Sequence, residues 1–298
     1  MGAAAGGGFP QWNCWCRCCR VARTDPEAAW PRTQSSVAIS CDGQRWFLLN
    51  ASPDVREQLA RLPSNGEPSG SRHVPIEGVL LTDAEIDHSL GIVLLREAQY
   101  LPLYATTAVR AVLDNDSRIL SMARAFGDVP WTELPLGAPI DLPHRNGVSS
   151  GLSVEAVVVP GAPPRFASKA AAGHTVALIV RESHGGRVCA FAPGCGGVTP
   201  ALRERFAEAD VLLFDGTFWK DDELATVGIT TRTAREMDHL PIAGPGGSLE
   251  ALATLPCPYR VYTHINNTNP ILLEQSSERA AVAQAGWTVG YDGLHMVI

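Results

Sequence analysis

The sequence predicts an α/β (α+β) fold arranged as a four-layer αββα sandwich. Three observations lead to this fold class. Short apolar strands alternate with helical patterns in both halves of the chain. From about residue 150 the chain becomes rich in strands, with the segments LSVEAVVVP, TVALIVRE and GRVCAFAPG. Successive strands of this kind indicate hairpins, which a doubly wound open sheet contains less often.

The elements follow one another as strand, loop and helix. RWFLLN predicts a strand, and Ser52 with Pro53 predicts the N-cap and first turn of a helix. The next segments predict a buried strand (IEGVLLT), a helix (SLGIVLLREAQ), a strand (LPLYAT) and a helix (AVRAVLD). After the hairpin region, Thr199 and Pro200 predict the start of the helix PALRERFAEA. The last segments predict a strand (DVLLFDG), a helix (SLEALATL), a strand (YRVYTHI), a helix (SSERAAVAQAG) and a strand (WTVGYDG).

The composition narrows the class of protein. With 298 residues, 45% of them hydrophobic, the chain is long enough for a large core, and we expect a single domain over 1–298. The net charge of -7 and the lack of a Lys/Arg-rich run argue against nucleic acid as a partner. No apolar stretch approaches the ~18 residues of a membrane span. The first residues, MGAAAGGGFPQW, lack the features of a signal peptide, which favours the cytoplasm.

Acidic residues and a histidine alternate in the segment LTDAEIDH, between a predicted strand and a predicted helix. Asp83, Glu85 and Asp87 lie two positions apart, so in an extended loop they share a face, and His88 follows directly. This spacing can gather ligands around a metal ion. The alternative is a solvated acidic loop that caps the helix.

Titratable residues also stand at the ends of later buried strands. Asp215 ends LLFD and His264 ends YRVYTH, and such positions are where sites are built. His239 lies in the Gly-rich segment MDHLPIAGPGG, where we expect a lid over a site.

Cysteines are concentrated near the start of the chain. Cys14, Cys16 and Cys19 supply three thiolates within what we expect to be one tight loop, a set suited to a structural zinc ion. The fourth ligand is left open among His73, His295, Cys18 and a residue of the asparagine-rich segment NNTN. Free buried thiols are the alternative, and the spacing matches neither common ferredoxin pattern. The glycine run before the cysteines lets the backbone pass close to a site.

Seven motifs carry a family resemblance. AAGGGFPQWNCWC, RTQSS, LLNASPD, LTDAEIDH, LLFDGTFW, MDHLPI and THINNTNPIL occur in this order and together resemble the coenzyme PQQ synthesis protein B family of the metallo-β-lactamase superfamily. The resemblance runs from residue 1 to 298. It implies an αββα sandwich with a site at its edge and a cytosolic place in the biosynthesis of pyrroloquinoline quinone (PQQ).

The resemblance also assigns roles to the acidic loop. In the superfamily this loop reads H-x-H-x-D-H and binds two zinc ions for hydrolysis. Here Asp83 and Glu85 stand where the first two histidines would be, whereas Asp87 and His88 match. With carboxylates in place of imidazoles, the ligand set suits Fe(II) or Mn(II) better than zinc.

Two further positions match later ligands of the superfamily. Asp215 fits the metal-binding aspartate and His264 the last histidine. The resemblance thus implies an active-site iron held by His88, His264 and a carboxylate, either Asp87 or Asp215, with Glu85 nearby in the ligand set. Mn or Zn in the same place stays open.

The implied activity is iron- and oxygen-dependent hydroxylation of the tyrosine in a cross-linked Glu–Tyr peptide precursor. On this hypothesis Asn266, Asn267 and Asn269 orient substrate carboxylates and His239 lies beside the bound molecule, although turn chemistry before Pro270 would explain any one asparagine equally well. The alternatives are a metallo-hydrolase and a non-catalytic soluble carrier that aids transport of PQQ or its precursor to the periplasm. Partners would be the precursor peptide or PQQ, together with other proteins of the pathway.

One departure from the family concerns the start of the chain. The family places a strand ahead of its glycine run, whereas this sequence begins almost at the glycines. We therefore expect the first strand to be missing and an N-terminally extended form to be the natural product.

Overall fold

The computed structural model describes residues 2–62 and 74–298, so the candidate ligand His73 lies outside the described residues. The strands are β1 (Val37–Ile39), β2 (Trp46–Leu49), β3 (Ile76–Leu80), β4 (Leu103–Ala105), β5 (Trp131–Glu133), β6 (Pro139–Pro143), β7 (Ser149–Val158), β8 (Val176–Glu182), β9 (Val188–Ala192), β10 (Val211–Asp215), β11 (Tyr259–Thr263) and β12 (Trp287–Val289).

The helices are mostly short. They are α1 (Arg17–Thr24), α2 (Val55–Ala60), α3 (Ile86–Ser89), α4 (Gly91–Leu94), α5 (Thr107–Ala111), α6 (Ile119–Arg124), α7 (Pro200–Ala207), α8 (Glu223–Thr226), α9 (Ser248–Ala251) and α10 (Ser277–Gln284). Single 3₁₀ turns cover Arg96–Ala98, Arg235–Met237 and Pro270–Leu272, and a π-helical turn covers Val112–Asp116. Within the described residues, no helix is both long and apolar enough to cross a membrane.

The contacts divide the described chain into two compact units. Unit 1 comprises Ser36–Val158 and Ala162–Arg187, and unit 2 comprises Gly2–Ser35, Val159–Gly161 and Val188–Ile298. Each unit has its own strands and its own buried side chains. The expectation of a single domain stays a prediction.

Unit 1 contains a five-stranded sheet in the order β1-β2-β3-β4-β5. β1 and β2 are antiparallel, and β2 to β5 run parallel. All five residues of β3 are buried, as expected for a central parallel strand covered on both faces. The same unit contains the antiparallel ladder β6-β7-β8, which confirms the predicted hairpin character of this region.

Unit 2 contains the parallel strands β12-β11-β10-β9, in that order. Aromatic rings pack beside them: Phe214 on β10 lies edge-on to Phe206 at 5.9 Å and to Trp287 at 6.3 Å. Tyr262 stacks on Trp287 at 4.2 Å between ring centroids. These contacts hold β10, β11 and β12 together, and the carboxyl ends of β10 and β11 carry the residues of the site.

The first residues of unit 2 form backbone hydrogen bonds with two other segments of the same unit, at Thr33 and at Ile265. The Ala4 N–H donates to the Thr33 carbonyl at 2.9 Å, and the Ala5 N–H donates to the Ile265 carbonyl at 2.9 Å. In return, the Ile265 N–H donates to the Ala3 carbonyl at 2.9 Å. The backbone before the glycine run therefore lies beside the residue that follows His264. A further strand ahead of these residues stays a prediction.

Of the two predicted helix N-caps, one is confirmed and the other is wrong. Thr199 caps α7 as predicted, because its hydroxyl accepts the Leu202 N–H at 3.2 Å. Ser52 does not cap α2, which begins at Val55 instead. The Ser52 hydroxyl accepts the Asp54 N–H at 3.2 Å and so forms a turn one step before the helix.

The predicted helix SLGIVLLREAQ is divided into shorter pieces. α3 begins earlier, at Ile86, and α4 begins at Gly91 after a break at Leu90. The Gly91 N–H donates to the Ala51 carbonyl at 2.9 Å, and a Cβ atom at Gly91 would meet that oxygen at 2.5 Å. The close approach of two backbones therefore requires glycine here.

Candidate metal centre

The acidic loop of unit 1 leads from the carboxyl end of β3 into α3. Asp83 and His88 are only 3% and 2% exposed, and the Nδ1 atom of His88 lies 2.8 Å from both carboxylate oxygens of Asp83. The Thr82 hydroxyl and the Glu85 N–H also donate to Asp83, at 2.7 and 2.9 Å. The alternative of a solvated acidic loop therefore does not hold for Asp83, which organises the loop from within.

The pKa values follow from this burial and pairing. Burial opposes protonation of His88, but the negative charges of Asp83 and Asp87 outweigh it and raise the pKa of His88 to about 9. For Asp83, burial opposes ionisation, but the charge and hydrogen bond of His88 outweigh it and lower the pKa. The two groups therefore form a buried ion pair when no metal is bound.

The other two acids of the loop lie nearer the surface. Glu85 is the N-cap residue of α3 and is half-buried, and Asp87 lies in the first turn of the same helix. The Oδ2 atom of Asp87 lies 3.9 Å from the Nε2 atom of His88. Because Asp83 holds Nδ1, Nε2 is the ring atom of His88 that faces Asp87. This part of the loop could supply a carboxylate and an imidazole to one metal ion.

Unit 2 brings together three further titratable side chains. Asp215 ends β10, and His264 follows Thr263, which is paired with Asp215 across the parallel strands. The carboxyl ends of neighbouring parallel strands meet at one edge of a sheet, which is a common place for a site. His239 comes from the segment after the turn Arg235–Met237. Ligand atoms of Asp215, His239 and His264 all lie within 4.8 Å of one another.

Asp215 is completely buried and accepts four hydrogen bonds. The backbone N–H groups of Cys195 and Thr217 donate at 2.9 Å each, and the Thr217 hydroxyl donates at 2.6 Å. The Nδ1 atom of His239 lies 2.7 Å from Oδ2, the oxygen that also accepts the Cys195 N–H. Burial opposes ionisation of Asp215, but the charges of His239 and His264 and these hydrogen bonds outweigh it and lower its pKa.

Thr217 also fixes the ring of His264. Its Oγ1 atom lies 2.8 Å from the Nδ1 atom of His264. Since the hydroxyl donates its hydrogen to Asp215, it accepts from the Nδ1 atom of His264, and Nε2 would be the ring atom that could bind a metal ion. No sequence pattern singled out Thr217. The available signal was a hydroxyl two residues beyond a strand-ending aspartate, a spacing that favours local hydrogen bonds.

His239 was predicted to lie on a lid over the site. In the structure its ring lies against Asp215 and His264. His239 is held by Asp215, stacks on His264 with ring centroids 5.5 Å apart, and lies edge-on to Phe218 at 5.8 Å. Its ring is therefore part of the carboxylate–imidazole cluster.

The asparagine-rich segment after His264 is tightly bonded. Asn269 is fully buried; its side chain accepts the Ile271 N–H at 3.1 Å and donates to the Gly216 carbonyl at 2.9 Å. The Asn266 amide donates to the Thr268 hydroxyl at 2.5 Å. These contacts support the turn interpretation for Asn269, and the role of the three asparagines toward substrate stays a prediction.

The cysteine cluster of unit 2 forms a second candidate metal site. The sulfur atoms of Cys14, Cys16 and Cys19 all lie within 4.8 Å of one another. They do not lie in one loop as predicted, because Cys16 is the N-cap of α1 and Cys19 lies in its first turn. The spacing from N-cap to third helical residue brings both thiols to one side, and the Cys16 sulfur accepts the Cys19 N–H at 3.5 Å.

Hydrogen bonds within the cluster shift the thiol pKa values in opposite directions. Hydrogen bonds from the thiols of Cys18 and Cys19 lower the pKa of Cys16, whereas hydrogen bonding to Cys16 and burial raise the pKa of Cys18 and Cys19. A metal ion would take the place of the shared protons. Cys18 lies outside the group of three sulfurs; its thiol contacts Cys16, and its sulfur lies 3.5 Å from the Thr268 carbonyl oxygen.

Comparison with known proteins places this geometry in a family. Residues 45–265 match the family model described as the beta-lactamase superfamily domain. The coenzyme PQQ synthesis protein B of Methylobacterium radiotolerans is 44% identical over 302 residues, which cover 99% of this chain and 98% of that protein.

Solved structures agree. The crystal structure of Zn(2+)-bound PqqB from Methylobacterium extorquens superposes with a TM-score of 0.89 and 42% identity, covering 100% of this chain and 98% of the other. A diphosphatase from the PhnP family superposes with a TM-score of 0.67 at 18% identity, covering 100% of this chain and 95% of the other, and shows the fold alone. The predicted α/β fold class of the metallo-β-lactamase type is therefore confirmed.

Proposed function

The chain belongs to the coenzyme PQQ synthesis protein B family of the beta-lactamase superfamily, and we propose that it acts in PQQ biosynthesis as a metal-dependent enzyme. In finer terms, we propose a non-haem iron hydroxylase that uses oxygen to hydroxylate the tyrosine of a cross-linked Glu–Tyr precursor peptide. The observation that carries this proposal is the cluster of Asp215, His239 and His264, one carboxylate with two imidazoles.

The donor set fits such an ion. Two imidazoles and one carboxylate with open positions are the ligands of non-haem Fe(II) oxygenases, and manganese or zinc would also be accepted. When bound, a redox-active metal would supply the oxygen chemistry that no side chain of the protein can perform. The 2.7 Å between Asp215 Oδ2 and His239 Nδ1 is near the separation of about 3 Å between neighbouring ligand atoms on one ion.

The chain's own residues hold the ligands in place. Thr217 donates to Asp215 and accepts from the Nδ1 atom of His264, so it fixes both ligands at once. Partners of this kind set the ring orientation and tautomer of metal-binding histidines. Without a metal, Asp215 also holds the ring of His239 through its Nδ1 atom. Asp215 ends β10 and Thr217 follows it, His264 follows β11, and His239 comes from the segment after the turn Arg235–Met237.

We also propose Asp87, His88 and Glu85 as metal ligands, because the family resemblance assigns them to the metal loop. Asp83 is not proposed as a ligand. Its oxygens accept from Thr82, Glu85 and His88, which makes it the residue that orients His88. This arrangement disfavours the metallo-hydrolase alternative, since the loop does not offer the histidines that the superfamily uses to hold two zinc ions.

Oxygen uptake by the Fe(II)-loaded protein, with and without a cross-linked Glu–Tyr peptide, tests the proposal. We expect uptake that depends on the peptide and a product that has gained one oxygen atom per hydroxylation. The zinc-loaded protein and the His264→Gln variant should show neither. His184→Gln is the matched control, because the side chain of His184 is 89% exposed. Bound iron without peptide-dependent uptake would overturn the hydroxylase and favour the carrier of PQQ or its precursor.

A further inference from the structure

Two tryptophans are exposed to solvent in the loop that precedes α1. Trp12 is 84% exposed and Trp15 is 68% exposed. A tryptophan side chain can bury about 150–250 Å², so these two leave about 300 Å² of largely apolar surface in water. Apolar surface of this extent on a single chain often marks an interaction site.

The loop that carries the tryptophans is held in shape. Trp12 lies in a turn closed by a hydrogen bond from the Cys14 N–H to the Gln11 carbonyl at 3.1 Å. The guanidinium group of Arg23 donates to the Gln11 carbonyl at 2.5 Å and to the Cys14 carbonyl at 2.6 Å. The same group lies over the ring of Trp15, 4.6 Å from its centroid. The loop is therefore preorganised, which lowers the entropic cost of binding a partner.

The exposed face of α1 adds positive charge beside the tryptophans. Arg17, Arg20 and Arg23 are spaced three residues apart, so neighbouring arginines lie on one face of the helix, whereas Cys18 and Cys19 are buried on the other. Arg17 and Arg20 are exposed, and within the described part of the chain neither is paired with a carboxylate. Both cations are therefore available to a partner.

This positive charge is local. Residues 1–24 contain three arginines and no aspartate or glutamate, whereas the whole chain has a net charge of -7. The first acidic residues, Asp25 and Glu27, follow the end of α1. A partner with a short acidic segment matches this stretch, whereas a broad anionic surface such as a membrane would be repelled by the rest of the chain.

The loop before α1 is anchored beside His264. At the start of the loop, the Ala5 N–H donates to the carbonyl of the residue directly after His264, at 2.9 Å. At its end, the Cys16 sulfur lies 3.4 Å from the carbonyl oxygen of Asn267. Because Trp15 precedes Cys16 and Asn267 is close in sequence to His264, the Cα atoms of Trp15 and His264 are at most about 25 Å apart. About seven or eight extended residues span that distance.

We propose that the Trp–Arg surface, formed by Trp12, Trp15, Arg17 and Arg20, binds an acidic peptide segment whose neighbouring residues reach His264. The arginines pair with the carboxylates of the segment, and the indole rings cover its apolar side chains. Tryptophan and arginine are the residue types that most often dominate binding at interfaces. The inference rests on the proposed function, in that it takes this segment to be the flank of the Glu–Tyr precursor peptide.

Fluorescence anisotropy of a labelled peptide tests the binding. The probe is a fluorescein-labelled decapeptide with a central Glu–Tyr pair and glutamates in both flanks, added to the metal-loaded full chain. The comparison peptide has glutamines in place of the flanking glutamates. We expect the glutamine peptide to bind about 3-fold to 10-fold more weakly. The affinity of the acidic peptide should fall as the ionic strength rises, because the ion pairs are exposed to solvent.

Substitutions locate the binding surface. Trp12→Ala should weaken binding of the acidic peptide by about 5-fold to 30-fold, as expected for an aromatic anchor. The double variant Arg17→Gln, Arg20→Gln should weaken it by about 3-fold to 10-fold and remove the preference for glutamate flanks. The matched controls lie in unit 1: Phe126→Ala, where the ring is 60% exposed with an arginine over it, and the exposed Arg165→Gln. Both should bind as the wild type does, and circular dichroism confirms the fold of each variant.

Three results would overturn the inference. The first is equal affinity for the acidic peptide in the wild type, Trp12→Ala and the double arginine variant. The second is a dimer in sedimentation that Trp12→Ala converts to a monomer, because a second copy of the chain would then cover this surface. The third is binding to phosphatidylglycerol vesicles that Trp12→Ala abolishes, without discrimination between the two peptides, which would assign the surface to a membrane.

The peptide affinity does not depend on oxygen chemistry, so the two proposals can fail separately. Peptide binding that requires the Trp–Arg surface, in a protein without peptide-dependent oxygen uptake, would support this inference and overturn only the hydroxylase. Peptide-dependent oxygen uptake with unchanged peptide affinity in both variants would overturn this inference and leave the proposed function intact.

Discussion

The carboxylate of Asp83 holds the imidazole of His88, whose Nδ1 atom lies 2.8 Å from each carboxylate oxygen. In the superfamily motif a histidine ligand would stand at position 83. Here that position carries a residue that orients His88, because the carboxylate accepts from Nδ1, and Nε2 is the atom of His88 that we propose as the metal ligand. The same logic recurs in unit 2, where Thr217 holds the Nδ1 atom of His264.

Asp83→Asn should lower the pKa of His88 in metal-free protein from its value of about 9. The imidazole is buried, and without the carboxylate of Asp83 the remaining charge of Asp87 would no longer outweigh that burial. NMR titration of the imidazole nitrogens measures the change. Asp42→Asn, in a partly exposed turn, should leave the His88 curve unchanged. An unaltered curve in Asp83→Asn would contradict the ion pair.

The same ion pair makes stability depend on pH. The His88 pKa is raised from 6.5 to about 9 in the folded state, so its stabilisation is complete below pH 6.5 and is lost as the pH rises through about 9. Urea unfolding of the metal-free protein at several pH values measures this. Between pH 6.5 and about 9, the unfolding free energy should fall less in Asp83→Asn than in the wild type. An equal fall in both proteins would show that the Asp83–His88 pair does not cause it.

Thr217→Val should weaken metal binding at the Asp215–His239–His264 site by about 10-fold to 100-fold, because it removes the hydroxyl that joins two ligands. The buried oxygen of Asp215 and the Nδ1 atom of His264 would each lose a partner, which costs about 1–3 kcal/mol of folding free energy. Calorimetric metal titration and thermal melting measure the two effects. Thr217→Ser keeps the hydroxyl and should bind as the wild type does, and Thr226→Val is an exposed control. Equal affinity in all four proteins would show that Thr217 does not position the ligands.

Glu223→Gln should make the free energy of unfolding depend less on pH between pH 5 and 8. Burial raises the pKa of Glu223 from 4.5 to about 7, although hydrogen bonds from Thr268 and Trp219 oppose the shift. Protonated Glu223 is therefore favoured by folding, and its contribution of up to about 3 kcal/mol is present below pH 4.5 and lost as the pH rises through 7. Gln imitates the protonated acid at every pH.

Chemical denaturation of the wild type and Glu223→Gln across this range provides the measurement. We expect the variant to gain stability relative to the wild type as the pH rises. Glu204→Gln, at an exposed position of α7, should follow the wild-type curve. A constant difference between Glu223→Gln and the wild type across the range would refute the prediction.

Gly91→Ala should destabilise unit 1 strongly. A Cβ atom at Gly91 would lie 2.4 Å from the Ser52 carbonyl oxygen and 2.5 Å from that of Ala51, so α4 would have to move away from the backbone that follows β2. Overpacking of this kind costs about 1–3 kcal/mol or more. Thermal melting measures the loss. Gly194→Ala is the matched control, since a Cβ atom there meets nothing within 4 Å.

Strand positions were largely predictable, because an apolar run of about four to seven residues between turn residues is too short for most helices and fits a buried strand. IEGVL, VLLFD and YRVYT all form strands where their patterns predicted them. Helix details were less predictable. The single helix expected over SLGIVLLREAQ is broken at Leu90, because Gly91 must approach the backbone of Ala51, and a local pattern contains no information on that distant contact.

In the candidate site, too, some residues could be predicted from the sequence and others could not. Asp215 and His264 were predicted as candidates because a titratable residue at the end of a buried strand is unusual, and the structure brings them together. Thr217 was missed and Asn267 was not distinguished from its neighbours, because hydroxyl and amide side chains are common in turns. Their importance lies in what they contact: two ligands for Thr217, and two thiols 248 and 251 residues away in the chain for Asn267.

The sequence by itself determined the family, the fold class and the residue types available for metal binding, since these depend on motif order and apolar periodicity. Only the tertiary structure decided that Asp83 orients His88, that Thr217 joins Asp215 to His264, and that Asn267 lies against the cysteine sulfurs. The physical reason is that a hydrogen bond or a metal–ligand contact requires a few tenths of an ångström of placement between distant segments. That placement is set by the packing of whole strands and helices and by no local pattern.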